Sequence, residues 1–311
     1  MMRLSMPEWW LHQQKGACDI SHFTVLVVGE DVKAQLAPYD ENLRVEPYHD
    51  YEENPWFADK AAEAGIDPTD LRALADWANA EWPEEGGDPH YDVDEKGLYT
   101  MSTYSQKSKW DWYSVGGRWS GFFKVKGNAV GAGVGQPGVA GNQAPSGTAD
   151  FINKGDIDFE GMESTAREEA TKLYDKYEAA VAGTEPARTW DELLKEAKAA
   201  DAFDIGKVRE IYHAQPRIKA VAKVFGRIDY FDFDQDELQE KGRERYLDYM
   251  AASAWVPFAM VKDGEWYEKG KMGLWAMVSD PVPKEAWVAE IRGIILDLPD
   301  DTKLTLVDAH I

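Results

Sequence analysis

A single cysteine, Cys18, stands in 311 residues, which excludes an internal disulfide and every multi-cysteine metal motif and fits a reducing compartment. Long apolar runs are absent too. No segment approaches the roughly 20 residues needed to cross a bilayer, and the opening Met-Met-Arg-Leu-Ser-Met-Pro-Glu-Trp-Trp has no signal-peptide core. The expectation is a cytoplasmic protein, neither secreted nor membrane-embedded. Positive charge is scarce: 34 Lys and Arg face 57 Asp and Glu, a formal net charge of −23. Such a surface repels a phosphate backbone and disfavours direct nucleic-acid binding. It suits plain solubility, or an acidic protein-binding inhibitor or DNA mimic that occupies a DNA-binding partner. No P-loop, H-E-x-x-H or G-x-S-x-G occurs, so the common nucleotide-triphosphatase and hydrolase signatures are missing. Gly133, Gly135 and Gly138 have G-x-G-x-x-G spacing, but Pro137 falls inside it and no helical pattern follows, which leaves a dinucleotide cradle without support.

What is present is apolar and aromatic: 44% hydrophobic and 12% aromatic residues, enough for a substantial core. The densest stretch is Lys109 to Phe123, Lys-Trp-Asp-Trp-Tyr-Ser-Val-Gly-Gly-Arg-Trp-Ser-Gly-Phe-Phe. Two readings compete for it. In one, Gly116 and Gly117 allow close backbone approach, Arg118 offers a planar fork to a carboxylate or phosphate, and Trp110, Trp112, Tyr113 and Trp119 supply stacking faces, together a pocket for a flat anionic, nucleotide-like ligand. In the other, the stretch is a Gly-Gly hairpin whose rings enter the core and whose Arg118 pairs internally with Asp111.

Along the chain, His22 to Gly29 reads as a strand buried on both faces. Asp31 to Pro38 suits a short helix, Asp40 to Phe57 an acidic loop, and Asp67-Pro68 a helix start with Asp67 as cap. That helix carries Leu71, Leu74, Ala78 and Trp82 on one face, and Leu98 to Tyr104 is a strand. Small residues over 127–148 mark a Gly-rich linker or mobile loop between an N-terminal α/β half (1–126) and a helical insertion (149–252). Within the insertion, Thr165 with Glu168, Thr189 with Glu192 and Asp234 with Glu237 have helix-start spacing; Gly183 closes a helix and Pro216 divides one. Residues 253–311 complete the sheet with a hairpin turning at Asp263-Gly264, a helix after Pro283 and a last strand over 302–311. Asp229, Asp232, Asp234 and Asp236 alternate in one acidic run, but without the glycine and closing glutamate of a calcium loop they read as a cap at Asp234 and solvated neighbours.

These elements predict an α+β fold: a ferredoxin-like antiparallel sheet in β-α-β-β-α-β order with a large helical insertion. The first and last strands are then antiparallel neighbours, and His22 approaches Asp308 and His310, which share a face of their strand. Two imidazoles and a carboxylate there form a candidate acid/base set or metal site, or only hydrogen-bonded strand ends. Whether the chain is an enzyme stays open at this point, with a metal-dependent enzyme acting on a nucleotide or small metabolite as one reading and a ligand-binding protein as the other.

The blocks Ser-His-Phe-Thr-Val-Leu-Val-Val-Gly at 21–29, Lys-Trp-Asp-Trp-Tyr-Ser-Val-Gly-Gly-Arg-Trp-Ser-Gly-Phe-Phe at 109–123, Gly-Glu-Trp-Tyr-Glu-Lys-Gly-Lys-Met-Gly at 264–273 and the terminal Val-Asp-Ala-His-Ile resemble those of a family of tailed-bacteriophage proteins. The resemblance spans both ends and the middle of the chain and is weaker in the helical insertion. It implies no chemistry. It does imply a phage-encoded accessory protein in the bacterial host cytoplasm, of the kind that binds a host factor or sequesters a defence signal during host takeover. Members of that family tend to carry cysteine where Ala309 stands, so no site here can rely on a terminal thiol.

Overall fold

The computed structural model describes residues 22–52, 55–83, 90–127, 129–133, 136–137, 145–199, 204–226, 234–272, 278–279 and 282–311. The chain divides into two compact units, one made of Met1–Leu36 with Trp112–Ile311 and the other of Ala37–Asp111. This boundary falls inside the N-terminal half expected from composition. Cys18, Asp229 and Asp232 lie outside the described residues, as do 128, 134–135 and 138–144 of the Gly-rich stretch.

In the larger unit β1 (His22–Val28) is buried along almost its whole length, as its β-branched, apolar text requires of a central strand. It leads into the short α1 (Val32–Leu36). The smaller unit follows with β2 (Arg44–Tyr51), α2 (Pro55–Glu63), α3 (Leu71–Glu81), β3 (Tyr91–Val93) and β4 (Leu98–Tyr104), forming a three-stranded sheet in the order β2-β4-β3. Its core joins Phe57, Leu74, Ala75 and Ala78 from the helices to Leu98 of β4. Two expectations are corrected here. The acidic stretch after Asp40 contains β2, an edge strand with no buried residue and a register shift between Arg44 and Tyr48, where Pro47 cannot donate. Helix α3 is capped by Asp70, whose carboxylate accepts the Ala73 N–H at 3.1 Å, whereas Asp67 accepts from Thr69 in the preceding turn.

Back in the larger unit come β5 (Trp112–Gly117), β6 (Phe123–Lys124), β7 (Gln136–Pro137), β8 (Thr148–Ala149) and β9 (Phe151–Asn153). Where the Gly-rich stretch is described it is structured: β7 pairs with β5, and Gly133 exchanges backbone hydrogen bonds with Asp150 and Phe151. Helices α4 (Phe159–Val181), α5 (Trp190–Lys198), α6 (Ile205–Ala214), α7 (Pro216–Phe225), α8 (Gln235–Lys241) and α9 (Arg243–Ser253) form the helical segment around Leu173, Tyr177, Tyr212, Ile218 and Leu247. Thr189 and Glu192 make a complete capping box, and Asp234 accepts the Glu237 N–H. Thr165 is no cap: α4 starts at Phe159 under Asp158, and the Thr165 hydroxyl donates back to the Gly161 carbonyl at 2.7 Å. Asp236 is not solvated either. It accepts from the Trp190 N–H, the Tyr212 hydroxyl and the Gln235 amide, and burial pushes its carboxyl up.

The chain closes with β10 (Ala259–Lys262), β11 (Glu265–Glu268), β12 (Lys271–Met272), β13 (Val278–Ser279), α10 (Lys284–Leu296) and β14 (Lys303–His310). The result is an α+β protein whose main sheet runs β11-β10-β1-β14-β5-β7, with β9 also on β14. β1 and β14 are antiparallel neighbours in register His22 to His310, Thr24 to Asp308 and Leu26 to Leu306. A ferredoxin-like order sets the second hairpin strand beside β1; here the first, β10, takes that place in parallel and β11 forms the edge. The long helical segment between β1 and β10 is the crossover that a parallel pair needs. Asp263 and Gly264, both at positive φ, then turn the chain outward. One face of β1 and β14, with Leu26, Val28, Leu304 and Leu306, is covered by Trp119, Phe123, Trp255, Trp287, Ile291 and Ile295. Each fully buried aliphatic side chain of this kind contributes roughly 1.5–3 kcal/mol.

Candidate functional site

The same face continues past the core into polar residues at the end of the ladder. Alternation along β1 puts His22 and Thr24 on the side of Leu26, and the register brings Asp308 and His310 of β14 and Trp112 and Ser114 of β5 alongside them. Asp308 is fully buried, and one of its oxygens lies 2.7 Å from His22 Nδ1. A carboxylate only accepts, so Nδ1 carries the proton and Nε2 of the neutral ring keeps its lone pair. The second carboxylate oxygen accepts the main-chain N–H of Arg118 at 2.9 Å. His22 is buried at 7% exposure, whereas Trp112 is 37% exposed. The Trp112 and His310 rings stack at 17° with centroids 5.6 Å apart, and the His22 ring meets both edge-on at 5.2 and 4.8 Å. The expected convergence of His22, Asp308 and His310 is therefore present.

The backbone that holds Asp308 in place is the Gly116-Gly117 pair. Both glycines have positive φ, +72° and +50°. A Cβ on Gly117 would lie 2.4 Å from Asp308 Oδ2, and one on Gly116 would lie 2.1 Å from Oδ2 of a second fully buried carboxylate, Asp150. Asp150 accepts from Ser120 Oγ at 3.0 Å and from the Gly121 N–H. Two buried acids thus grip the turn that follows β5, and only glycine fits between them. That turn does not close a hairpin: after Gly121 the chain leaves the sheet, and β6 pairs with β8. The acids take the N–H groups of Arg118 and Gly121, and those of Trp119 and Ser120 go to the Gly116 and Gly117 carbonyls.

Of the side chains expected to line a pocket at Arg118, Trp112 is placed beside His22 and His310. Trp110 is buried and, like Asp111, belongs to the smaller unit, and Trp119 is part of the core with Phe123 and Trp255. Tyr113, next to Trp112 on the strand, points to the opposite face, and burial pushes its phenol up. The main-chain N–H of Arg118 is given to Asp308, and Gly116 and Gly117 shape the turn. Among the described residues no three His, Cys, Asp or Glu side chains are arranged to hold a metal ion, so His22, Asp308 and His310 do not form a ligand set. No helix among them is long and apolar enough to cross a membrane.

Sequence reasoning missed Asp150, a lone acid between two short strands whose burial only the folded chain reveals. It also missed a second His–Asp pair in the smaller unit. There His49 Nδ1 lies 2.9 Å from Asp94 Oδ2, which also accepts the Tyr51 hydroxyl at 2.7 Å, and the His49 ring stacks flat on Tyr99 at 3.8 Å. The Tyr51 hydrogen bond holds the Asp94 carboxyl down to about 2, and the same bond raises the Tyr51 phenol to about 12. The signal for this pair was hidden in β2, a strand with no apolar alternation. No family model matches the chain, and neither does any curated protein or solved structure.

Proposed function

We propose that the protein binds a small planar anion, of the nucleotide type, at the end of the β1–β14 ladder. The observation that carries this reading is the buried Asp308 holding His22 at 2.7 Å directly beneath a Trp112–His310 stack that is open to solvent. An Asp–His hydrogen bond by itself is common inside proteins. An exposed indole laid parallel to one imidazole and edge-on to another is not required for packing, and it supplies a face for a flat ring with imidazole nitrogens beside it. In a chain of net charge −23 these imidazoles are a local exception, and the surrounding charge favours small ligands over long polyanions. The resemblance to tailed-phage proteins supplies the setting: a phage-encoded accessory protein in the host cytoplasm, acting in host takeover or counter-defence by capturing such a ligand.

A thermal melt tests this. At a nucleotide concentration 100 times Kd the folded state gains about 2.7 kcal/mol, a readily measured rise in Tm. A panel of mono- and dinucleotides is expected to contain at least one that raises the wild-type Tm, and Trp112→Ala and His310→Ala are expected to abolish the rise. No shift with any member, or shifts that survive both substitutions, would sink the reading.

A further inference from the structure

We infer that the site is a two-imidazole acid–base centre that cleaves short ribonucleotide phosphodiesters through the substrate's own 2′-hydroxyl. The inference deepens the ligand reading above and rests on it. The ring centroids of His22 and His310 are 4.8 Å apart, so both imidazoles can reach oxygens of one phosphoryl group. They differ in surroundings. His22 is buried and donates Nδ1–H to Asp308, which fixes its tautomer and stabilises the imidazolium formed when Nε2 takes a proton. His310 lies on the rim, part-exposed beside Trp112.

The nearby hydroxyls leave the attacking group to the substrate. Thr24 Oγ1 is engaged, accepting the Phe258 N–H at 3.0 Å. Ser114 sits across from Asp308 in the register. A site able to take one proton and give another, with a stacking face for a base, fits a phosphodiester that carries its own nucleophile. In the step, His22 Nε2 removes the proton of the 2′-hydroxyl and the 2′-oxygen bonds to phosphorus. The bond from phosphorus to the 5′-oxygen breaks, and that oxygen takes a proton from His310. The products are a 2′,3′-cyclic phosphate and a 5′-hydroxyl; no oxidant, reductant or further reactant is consumed. The net charge of −23 restricts the substrate to di- or oligonucleotides of a few units.

The full chain is incubated with ribodinucleoside monophosphates and, separately, with their 2′-deoxy counterparts, with phosphorus NMR reading the products and calorimetry reading binding. The expected result is 2′,3′-cyclic phosphate from the ribo compounds, and binding without cleavage of the deoxy ones. His22→Asn and His310→Ala are each expected to lower kcat at least 100-fold. His310→Ala recovers most of its rate on a uridine 3′-phosphodiester with a p-nitrophenyl leaving group, which needs no acid; a merely structural His310 does not give that rescue. Binding of the deoxy compounds with no cleavage of the ribo compounds overturns this inference and leaves the ligand reading standing. Absence of binding by either overturns both. Cleavage that persists in both variants, or that disappears with EDTA, also overturns it, and His310→Ala, on the rim, guards against a fold defect in the His22 variant.

Discussion

Two His–Asp pairs of nearly equal length occur in the two units of this chain, and they differ in how far water reaches them. In the larger unit His22 and Asp308 meet at 2.7 Å with side chains 8% and 0% exposed; in the smaller, His49 and Asp94 meet at 2.9 Å with side chains 40% and 28% exposed. Around the exposed pair stand a tyrosine hydroxyl, the Lys96 N–H and the stacked Tyr99 ring, and solvent stands ready to replace any of them. The buried pair is built from three strands far apart in sequence, with Asp308 fixed from the other side by the Arg118 N–H and pressed by Gly117. The same two residue types give a screened surface contact in one place and an oriented imidazole in the other, because burial removes the competing solvent.

Removing the carboxylate from each pair is the most severe test of that contrast. Asp308→Ala is expected to destabilise the protein by about 3–5 kcal/mol in urea denaturation, since it leaves both the His22 Nδ1–H and the Arg118 N–H without their acceptor in a dry site. Asp94→Ala is expected to shift the midpoint far less. Equal losses would mean that burial does not separate the pairs.

A smaller effect sharpens the account of how Asp308 and Asp150 are held. Gly183 and Gly116 both have positive φ, but a Cβ on Gly183 meets nothing within 4 Å, whereas one on Gly116 collides with Asp150. Gly183→Ala therefore carries backbone strain alone, about 1 kcal/mol. Gly116→Ala adds overpacking of roughly 1–3 kcal/mol. Chemical denaturation of the two variants side by side reads the difference, and identical losses would show that Asp150 yields freely.

The pH dependence of the exposed pair is the mildest effect. The Asp94 carboxyl is depressed to about 2, so the stability it contributes is present above the ordinary carboxylate range and is lost as pH falls through about 2. The Tyr51 phenol is raised to about 12, so its contribution is complete below about 10 and fades as pH rises through about 12. NMR titration of the Asp94 carboxyl carbon and absorbance titration of Tyr51 check both midpoints. Asp94→Asn should return the Tyr51 midpoint toward its ordinary value, and an unmoved midpoint would show that Asp94 is not the cause.

The parts of the fold that could be read from the chain are those encoded locally. β1 and β14 announce themselves by continuous β-branched, apolar text, Thr189 with Glu192 by capping-box spacing, and the break between α6 and α7 by Pro216. Element order then made the two strands antiparallel neighbours, which was enough to bring His22, Asp308 and His310 together. Density of rings along the Trp-rich stretch says nothing of which side of a strand or which unit each ring joins. Trp110 is buried and belongs to the smaller unit, Trp112 stands at a rim, Tyr113 lies on the opposite sheet face and Trp119 is in the core of the larger unit.

By itself, then, the amino-acid sequence determined which segments must be buried, where helices start and stop, and which chemistry-bearing residues stand at strand ends, because periodicity and capping act over a few residues. Tertiary structure alone decided that β10 and not β11 lies beside β1, that the acidic stretch of β2 becomes an edge strand, and that Asp150 and Asp308 close on the glycine turn. These depend on long-range packing and register. A one-residue slip between β14 and β5 would turn Trp112 away from His310 while leaving the local pattern of either strand unchanged.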